Sequence, residues 1–333
     1  MFRVRRLEQV IRTKALGAVE AAISKAIKQP GSMLALYGPC GVGKTVAMRT
    51  ALETLGSGCD IIQVEIPEKE RLCVSAIMDT ILESLGETPK RFAQAKTVQL
   101  QRCLGERSKS RRVVLVIDEA HALPIRTLKG LKRLLELGYA LRSGLFSVIL
   151  VGQSEMKERL RAAPEVGKRT RRYEMGVLTD KEREMIVGQV AEAEGLKLKA
   201  DAASEIARRA VLPLDLVQIV SELSEWAQER GITTLDLGTV MHALGETRRR
   251  LMAEYGISVS DVARVAGVSK ATVSEALSGG YAGKRETAAA VESAFNRIVQ
   301  DRQAKKESHE DTKARNGSDG LVGAGVSVGG RER

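Results

Sequence analysis

Gly38-Pro39-Cys40-Gly41-Val42-Gly43-Lys44-Thr45 follows the apolar run Met33 to Tyr37 and leads into Val46 to Leu55, which has helical character without internal Gly or Pro. Strand, glycine loop and helix, in that order, are what a phosphate site demands. Glycines let the backbone curl so that successive amide groups face an anion, and the following helix offers its positive N-terminal end. In this pattern of Gly, four residues, Gly, Lys and Thr, Lys44 is expected to hold the β and γ phosphates of a nucleotide and the Thr45 hydroxyl to ligate Mg²⁺. Gly38 through Val46 is therefore the candidate nucleotide-binding segment.

Some seventy positions later the run Val113, Val114, Leu115, Val116, Ile117 reads as a buried parallel strand, because apolar residues on both faces mean that both faces are covered. It ends in Asp118 and Glu119. A carboxylate at a strand's C-terminal edge can reach the metal, and its neighbour can polarise a water for in-line attack on the γ phosphate. Asp118 is accordingly expected on Mg²⁺ and Glu119 on the water. The competing interpretation is a plain glycine turn and an unrelated acidic strand end.

Outward from these two segments, Leu16, Val19, Ala22, Ile23 and Ile27 recur at helical steps, and Ile61 to Ile66 is a further strand. Helices are expected over Val74 to Leu85, Thr97 to Ser108 and Leu128 to Leu141, then a buried strand over Phe146 to Val151. Alternating strands and helices predict a three-layer α/β domain with a parallel sheet, ending near residue 175. From Asp180 to about Thr247 only helical patterns remain, with a further helical module over 247–299. Beyond about Asp301 the composition turns to charged residues and then Gly, Ser and Asn, which predicts a disordered tail. The resulting division is 1–178 (α/β domain), 179–247 (helical subdomain), 248–299 (DNA-facing module) and 300–333 (tail).

The 333 residues carry 53 Lys and Arg against 42 Asp and Glu, a formal charge of +11, which makes a polyanion such as nucleic acid a candidate partner against the alternative of simple solubility. Cys40, Cys59, Cys73 and Cys103 lack the close spacing of a metal or redox motif. No stretch approaches the roughly 20 apolar residues of a membrane span, and no signal peptide is recognisable, so a cytoplasmic protein without a membrane partner is expected.

Within 248–299, Ser260 to Leu277 reads as a helix-turn-helix. Ala263 is small enough for two helices to approach, Gly267 supplies a positive φ at the turn, Val273 packs inward, and Ser269 is placed to cap the second helix. Lys270, Thr272 and Ser274 would then face the major groove of double-stranded DNA. Tyr281, Lys284 and Arg285 follow in a glycine-rich stretch suited to phosphate contacts. An ordinary helical hairpin and loop is the alternative. Lys129, Lys132 and Arg133, beyond the acidic strand, form a second candidate DNA-facing group, or one solvated helix face.

The glycine loop together with the Asp118-Glu119 strand end resembles the AAA+ ATPases over roughly residues 10–245. That resemblance implies ATP with Mg²⁺, a helical lid over 179–247, and a polar sensor residue on the next strand, where Gln153 stands. It also implies an arginine finger from a neighbouring subunit. Arg172 and Arg169, within the cluster Lys168 to Arg172, occupy the matching region, with a solvated cluster as the alternative. The lid's second sensor arginine has no counterpart, because Leu212-Pro213-Leu214 is followed by Asp215.

With a helix-turn-helix added, the chain resembles the target-selection ATPases of DNA transposition, typified by the Mu phage B protein, although there the helix-turn-helix precedes the ATPase domain. By that resemblance, ATP-bound subunits assemble as a ring or helical filament on DNA, recruit a cognate transposase, and dissociate on hydrolysis. A second reading is an ATP-switched transcriptional regulator. The Asp118-Glu119-Ala120-His121 sequence also raises a helicase, but the chain is short for two motor domains.

Overall fold

In the computed structural model the described residues are 11–54, 58–64, 69–278 and 283–318. The chain divides into two compact units. The first takes residues 11–186 together with 212–214, and the second takes 187–211 and 215–318.

The first unit runs α1 (Lys14–Ile27), β1 (Met33–Tyr37), α2 (Lys44–Thr54), β2 (Cys59–Gln63), α3 (Val74–Ser84), α4 (Ala93–Arg107), β3 (Arg112–Ile117) and α5 (Ile125–Leu135). A two-stranded hairpin follows, β4 (Gly138–Tyr139) and β5 (Arg142–Ser143), and then β6 (Phe146–Gly152), α6 (Met156–Ala162), α7 (Pro164–Gly167) and β7 (Thr170–Glu174). The order across the main sheet is β2-β3-β6-β1-β7, parallel throughout. Side chains alternate across it as the period of two requires. Met33, Ala35, Leu115, Ile117, Val148 and Leu150 face one apolar layer with Ile77, Leu100 and Leu128. Leu34, Leu36, Val114, Val116, Ile149 and Val151 face the other, with Val19, Ile23 and Met48. Both faces are covered, so the three-layer expectation holds.

Three departures have local causes. The helix expected to reach Leu141 stops at Leu135, and the chain turns through Ala140 and Leu141, both at positive φ (47° and 66°), to make the β4–β5 hairpin. β7 was not expected from the sequence. It is an edge strand in which Thr170 is buried and the later residues are half-buried or exposed, which leaves room for Arg171, Arg172 and Glu174. The last helix runs to Ser318, past the point where order was expected to end; its Lys, Glu, Ala and Arg content favours helix with little to bury.

α8 (Asp180–Ala193) begins in the first unit and continues into the second. There follow β8 (Lys197–Leu198), α9 (Ala200–Arg209), α10 (Pro213–Glu229), β9 (Thr234–Leu235), α11 (Leu237–Glu254), α12 (Val259–Ala266), α13 (Lys270–Ser278) and α14 (Arg285–Ser318). Asp236 caps α11 by accepting from the Thr239 backbone N–H at 3.0 Å. Ser258 and Asp261 close a reciprocal capping box on α12. Helices α12 to α14 share a core of Val262, Val273, Leu277, Val291 and Phe295. Arg248, the first of three consecutive arginines, is buried and donates to Glu292 of α14 at 2.5 Å.

Candidate functional site

Gly38 to Gly43 connect β1 to α2 at the C-terminal edge of the sheet. Gly41 and Gly43 have φ of 78° and 94°, a conformation open to glycine and closed to most side chains. Gly38 is needed for space: a Cβ there would lie 2.4 Å from the carbonyl oxygen of Met175, at the end of β7. The loop therefore has the curled backbone that its composition predicts.

Lys44 opens α2 and is buried; its Nζ donates to the carbonyl oxygens of Gly38 at 3.0 Å and Pro39 at 2.7 Å. Burial pushes its ammonium below the ordinary lysine range, and the carboxylates of Glu119 and Asp118 partly oppose that shift. Thr45 Oγ1 donates to Asp118 Oδ2 at 3.0 Å, so the two residues expected to share a cation meet although 73 positions separate them. Asp118 Oδ1 accepts from the Glu119 backbone N–H at 2.9 Å, which fixes the carboxylate's rotation.

A hydroxyl and a carboxylate together fit Mg²⁺, a hard ion that takes oxygen ligands and draws the rest from phosphate and water. Among the described residues no group of three His, Cys, Asp or Glu could hold a metal alone. The pair thus suits an ion that arrives with a nucleotide.

Glu119 sits in the left-handed region (φ 54°, ψ 33°) just before the short turn Ala120–Ala122. For a residue with a side chain that conformation costs on the order of 1–3 kcal/mol and persists where surroundings impose it. Its carboxylate is more than half exposed, and Oε2 lies 3.4 Å from His121 Nδ1. Gln153 directly follows β6, and its backbone N lies 3.4 Å from the same His121 nitrogen. Gly152 permits this closeness, since a Cβ there would stand 3.1 Å from the His121 backbone N.

The segment Leu212–Leu214 lies on the loop as well. Leu214 N–H donates to the Gly41 carbonyl at 3.3 Å, and a Cβ on Gly41 would meet Leu214 Cβ at 3.2 Å. These leucines, with Met175, line the loop where the sequence signalled only a missing arginine. No periodicity reports such a tertiary approach; the Leu-Pro-Leu step at the mouth of α10 was the one available hint.

The remaining candidates are placed as follows. Arg172 NH2 donates to the Gly167 carbonyl at 3.1 Å, and Arg169 NH1 to Glu136 at 2.5 Å. Arg169 precedes β7, whose Glu174 is in register with Tyr37, so roughly 16 Å of strand separates it from its own loop. Lys129 pairs with Glu165 at 2.9 Å and Lys132 with Glu136 at 3.3 Å, while Arg133 is exposed.

In the second unit α12 and α13 meet through Gly267 at φ 68°, with Ala263 and Val273 turned inward. Ser269 Oγ accepts from the Thr272 backbone N–H at 3.1 Å and lies 2.8 Å from Thr272 Oγ1, so the Thr272 hydroxyl is tied into the cap. Lys270, Ser274 and Lys284 are exposed. Arg285 starts α14, and Tyr281 lies outside the described residues. No described helix is long and apolar enough to cross a membrane.

Residues 27–160 match the AAA domain family. The structure is similar to the crystal structure of Cdc6p from Pyrobaculum aerophilum, with a TM-score of 0.55, 15% identity, and coverage of 88% of this chain and 83% of that one. It is also similar to the RuvB Holliday junction branch migration motor of Thermotoga maritima, with a TM-score of 0.48 and 18% identity over 78% of this chain and 84% of that one. No curated protein matches the sequence. The fold is that of the P-loop AAA+ ATPases.

Proposed function

We propose that this chain is an ATP-hydrolysing, DNA-binding switch that assembles on double-stranded DNA and selects it as a target for a cognate transposase. The observation that carries the reading is the Thr45–Asp118 contact beneath a curled glycine loop, in a chain that also holds a capped helix pair with an exposed basic residue, Lys270, at the start of its second helix. The first supplies a nucleotide switch and the second a surface for DNA.

Lys44 holds the β and γ phosphates, drawn from its carbonyl partners as the charge of the phosphates replaces them. Thr45 and Asp118 hold Mg²⁺, which when bound supplies charge neutralisation on the β and γ oxygens. Glu119 orients the attacking water and takes its proton, with Gln153 beside it. Arg169 and Arg172 act on a neighbouring subunit's nucleotide, which makes the hydrolysing species an oligomer, a ring or a helical filament.

Electron microscopy of the protein with duplex DNA, with and without a slowly hydrolysed ATP analogue, tests this. Filaments or rings that need the nucleotide, and that Lys44→Ala abolishes, are expected. Equal DNA binding by both proteins with and without nucleotide sinks the switch. A footprint confined to one operator sequence would instead favour a transcriptional regulator.

A further inference from the structure

The sheet edge opposite the nucleotide loop carries a cavity of about 280 Å³. β3 and β6 begin there, and Arg112, Arg142 and Arg111 line it over a floor that includes Ile27 and Phe146. Since β6 is seven residues long, roughly 20 Å of sheet separates this cavity from the glycine loop at the far edge.

Its charge is unbalanced. Asp60 is the carboxylate at hand, and it already accepts from Arg107 and, at 2.5 Å, from Arg111. The Arg107 hydrogen bond holds Asp60 below the usual carboxylate range, so it stays charged and committed. Among the described residues Arg112 and Arg142 have no carboxylate partner, and both are exposed.

The rim is also held in place. Gly31 and Gly144, both at positive φ (75° and 68°), touch backbone to backbone: a Cβ on Gly31 would lie 2.9 Å from Gly144 Cα, and one on Gly144 2.8 Å from Pro30. Gly31 N–H donates to the Phe146 carbonyl at 2.9 Å. The hairpin that delivers Arg142 turns through two non-glycine residues in the left-handed region, a conformation that persists only under constraint.

The geometry points to a second phosphate-binding site here, in which Arg112 and Arg142 grip one phosphate group, either of a nucleic acid backbone or of a free polyphosphate. Guanidinium forks match phosphate oxygens two at a time, and the surplus of at least two positive charges favours a phosphate over a lone carboxylate. The nucleic acid source rests on the function proposed above; the free polyphosphate source does not.

The test uses Arg112→Ala/Arg142→Ala, with Arg112→Lys/Arg142→Lys as the charge-retaining form and Lys181→Ala/Lys197→Ala as a charge-matched control. In one arm tripolyphosphate is titrated calorimetrically, without Mg²⁺, into proteins that also carry Lys44→Ala to silence the nucleotide loop. In the other, duplex DNA binding is measured against salt in the presence of the ATP analogue. The alanine pair is expected to lose at least tenfold in one arm while keeping its affinity for the ATP analogue, and the lysine pair to keep most of the binding. If DNA is the source, the slope of log affinity against log salt falls by about 1, for the one phosphate released.

Loss on DNA alone assigns the site to a backbone phosphate, and loss on tripolyphosphate alone to a free one. No loss in either arm, or an equal loss in the Lys181/Lys197 control, overturns the site. If the parent protein shows no nucleotide-dependent DNA binding, the proposed function fails while the tripolyphosphate arm still decides this site.

Discussion

His121 Nδ1 lies 3.4 Å from Glu119 Oε2 and also 3.4 Å from the backbone N of Gln153. The nitrogen can donate to the carboxylate only when it carries a proton, and accept from the amide only when it does not. The imidazole therefore stands between the Glu119 carboxylate, proposed to orient the water, and the end of β6 at Gln153.

His121→Ala is expected to lower the hydrolysis rate by about 10-fold, less than the roughly 10²–10⁴-fold of a group that itself transfers the proton, because His121 acts through Glu119. Affinity for the ATP analogue should stay within about twofold, because His121 does not touch the loop. Glu119→Gln should lower the rate by about 10²-fold or more. Single-turnover hydrolysis with a separate binding titration checks both, and a His121→Ala protein that hydrolyses at the parent rate refutes the positioning role.

Gly38→Ala places a methyl group 2.4 Å from the Met175 carbonyl, which can yield only if β7 moves away from β1, where Met175 N–H donates to the Tyr37 carbonyl at 2.7 Å. Nucleotide affinity should fall at least tenfold and the melting temperature should drop. Gly17→Ala, in α1 with nothing within 4 Å of the added methyl, should instead stabilise by about 0.5–1 kcal/mol. Parallel thermal melts and nucleotide titrations separate the two.

If Arg169 and Arg172 serve a neighbour, Arg169→Ala/Arg172→Ala protein and Glu119→Gln protein, each inactive alone, should regain hydrolysis when mixed. Each supplies what the other lacks at a shared interface. A mixture as inactive as its components places the arginines in a purely structural role, for which their contacts with Glu136 and Gly167 already provide.

Burial, reinforced by the charge of Glu292, pushes the Asp215 carboxyl up to about 6, and burial likewise raises Glu222 to about 7. Both acids hold a proton more tightly folded than unfolded. Their contribution is therefore fully present below about pH 4 and is lost as pH rises through 6 to 7. Asp215→Asn should remove part of that slope and stabilise the helical unit by about 2–3 kcal/mol at pH 8, from roughly two units at 1.36 kcal/mol each. Denaturant melts at pH 5 and pH 8 decide it; identical pH dependence in both proteins refutes it.

What the sequence shows, it shows where one local rule governs. Gly38 to Thr45 and Val113 to Glu119 are legible because glycine content, apolar run and acidic end each state a backbone requirement, and their meeting at Thr45 and Asp118 follows from chemistry. β7 was hidden because Arg171, Arg172 and Glu174 give a half-open edge strand the composition of a surface loop. The β4–β5 hairpin was hidden because Ala140 and Leu141 replace the glycines that ordinarily mark such a turn. Leu212 and Leu214 were hidden because their contact with Gly41 is a tertiary one.

The buried Arg248–Glu292 pair ties α11 to α14, and Arg248 NH1 also donates to the Leu277 carbonyl at the end of α13. The helices that would read DNA are consequently no detachable cassette. A fragment cut after α11 would leave Glu292 as an orphan charge in an apolar interior, a defect on the order of 3–5 kcal/mol. Any excised version of α12 to α14 has to carry α11 with it to keep that charge paired.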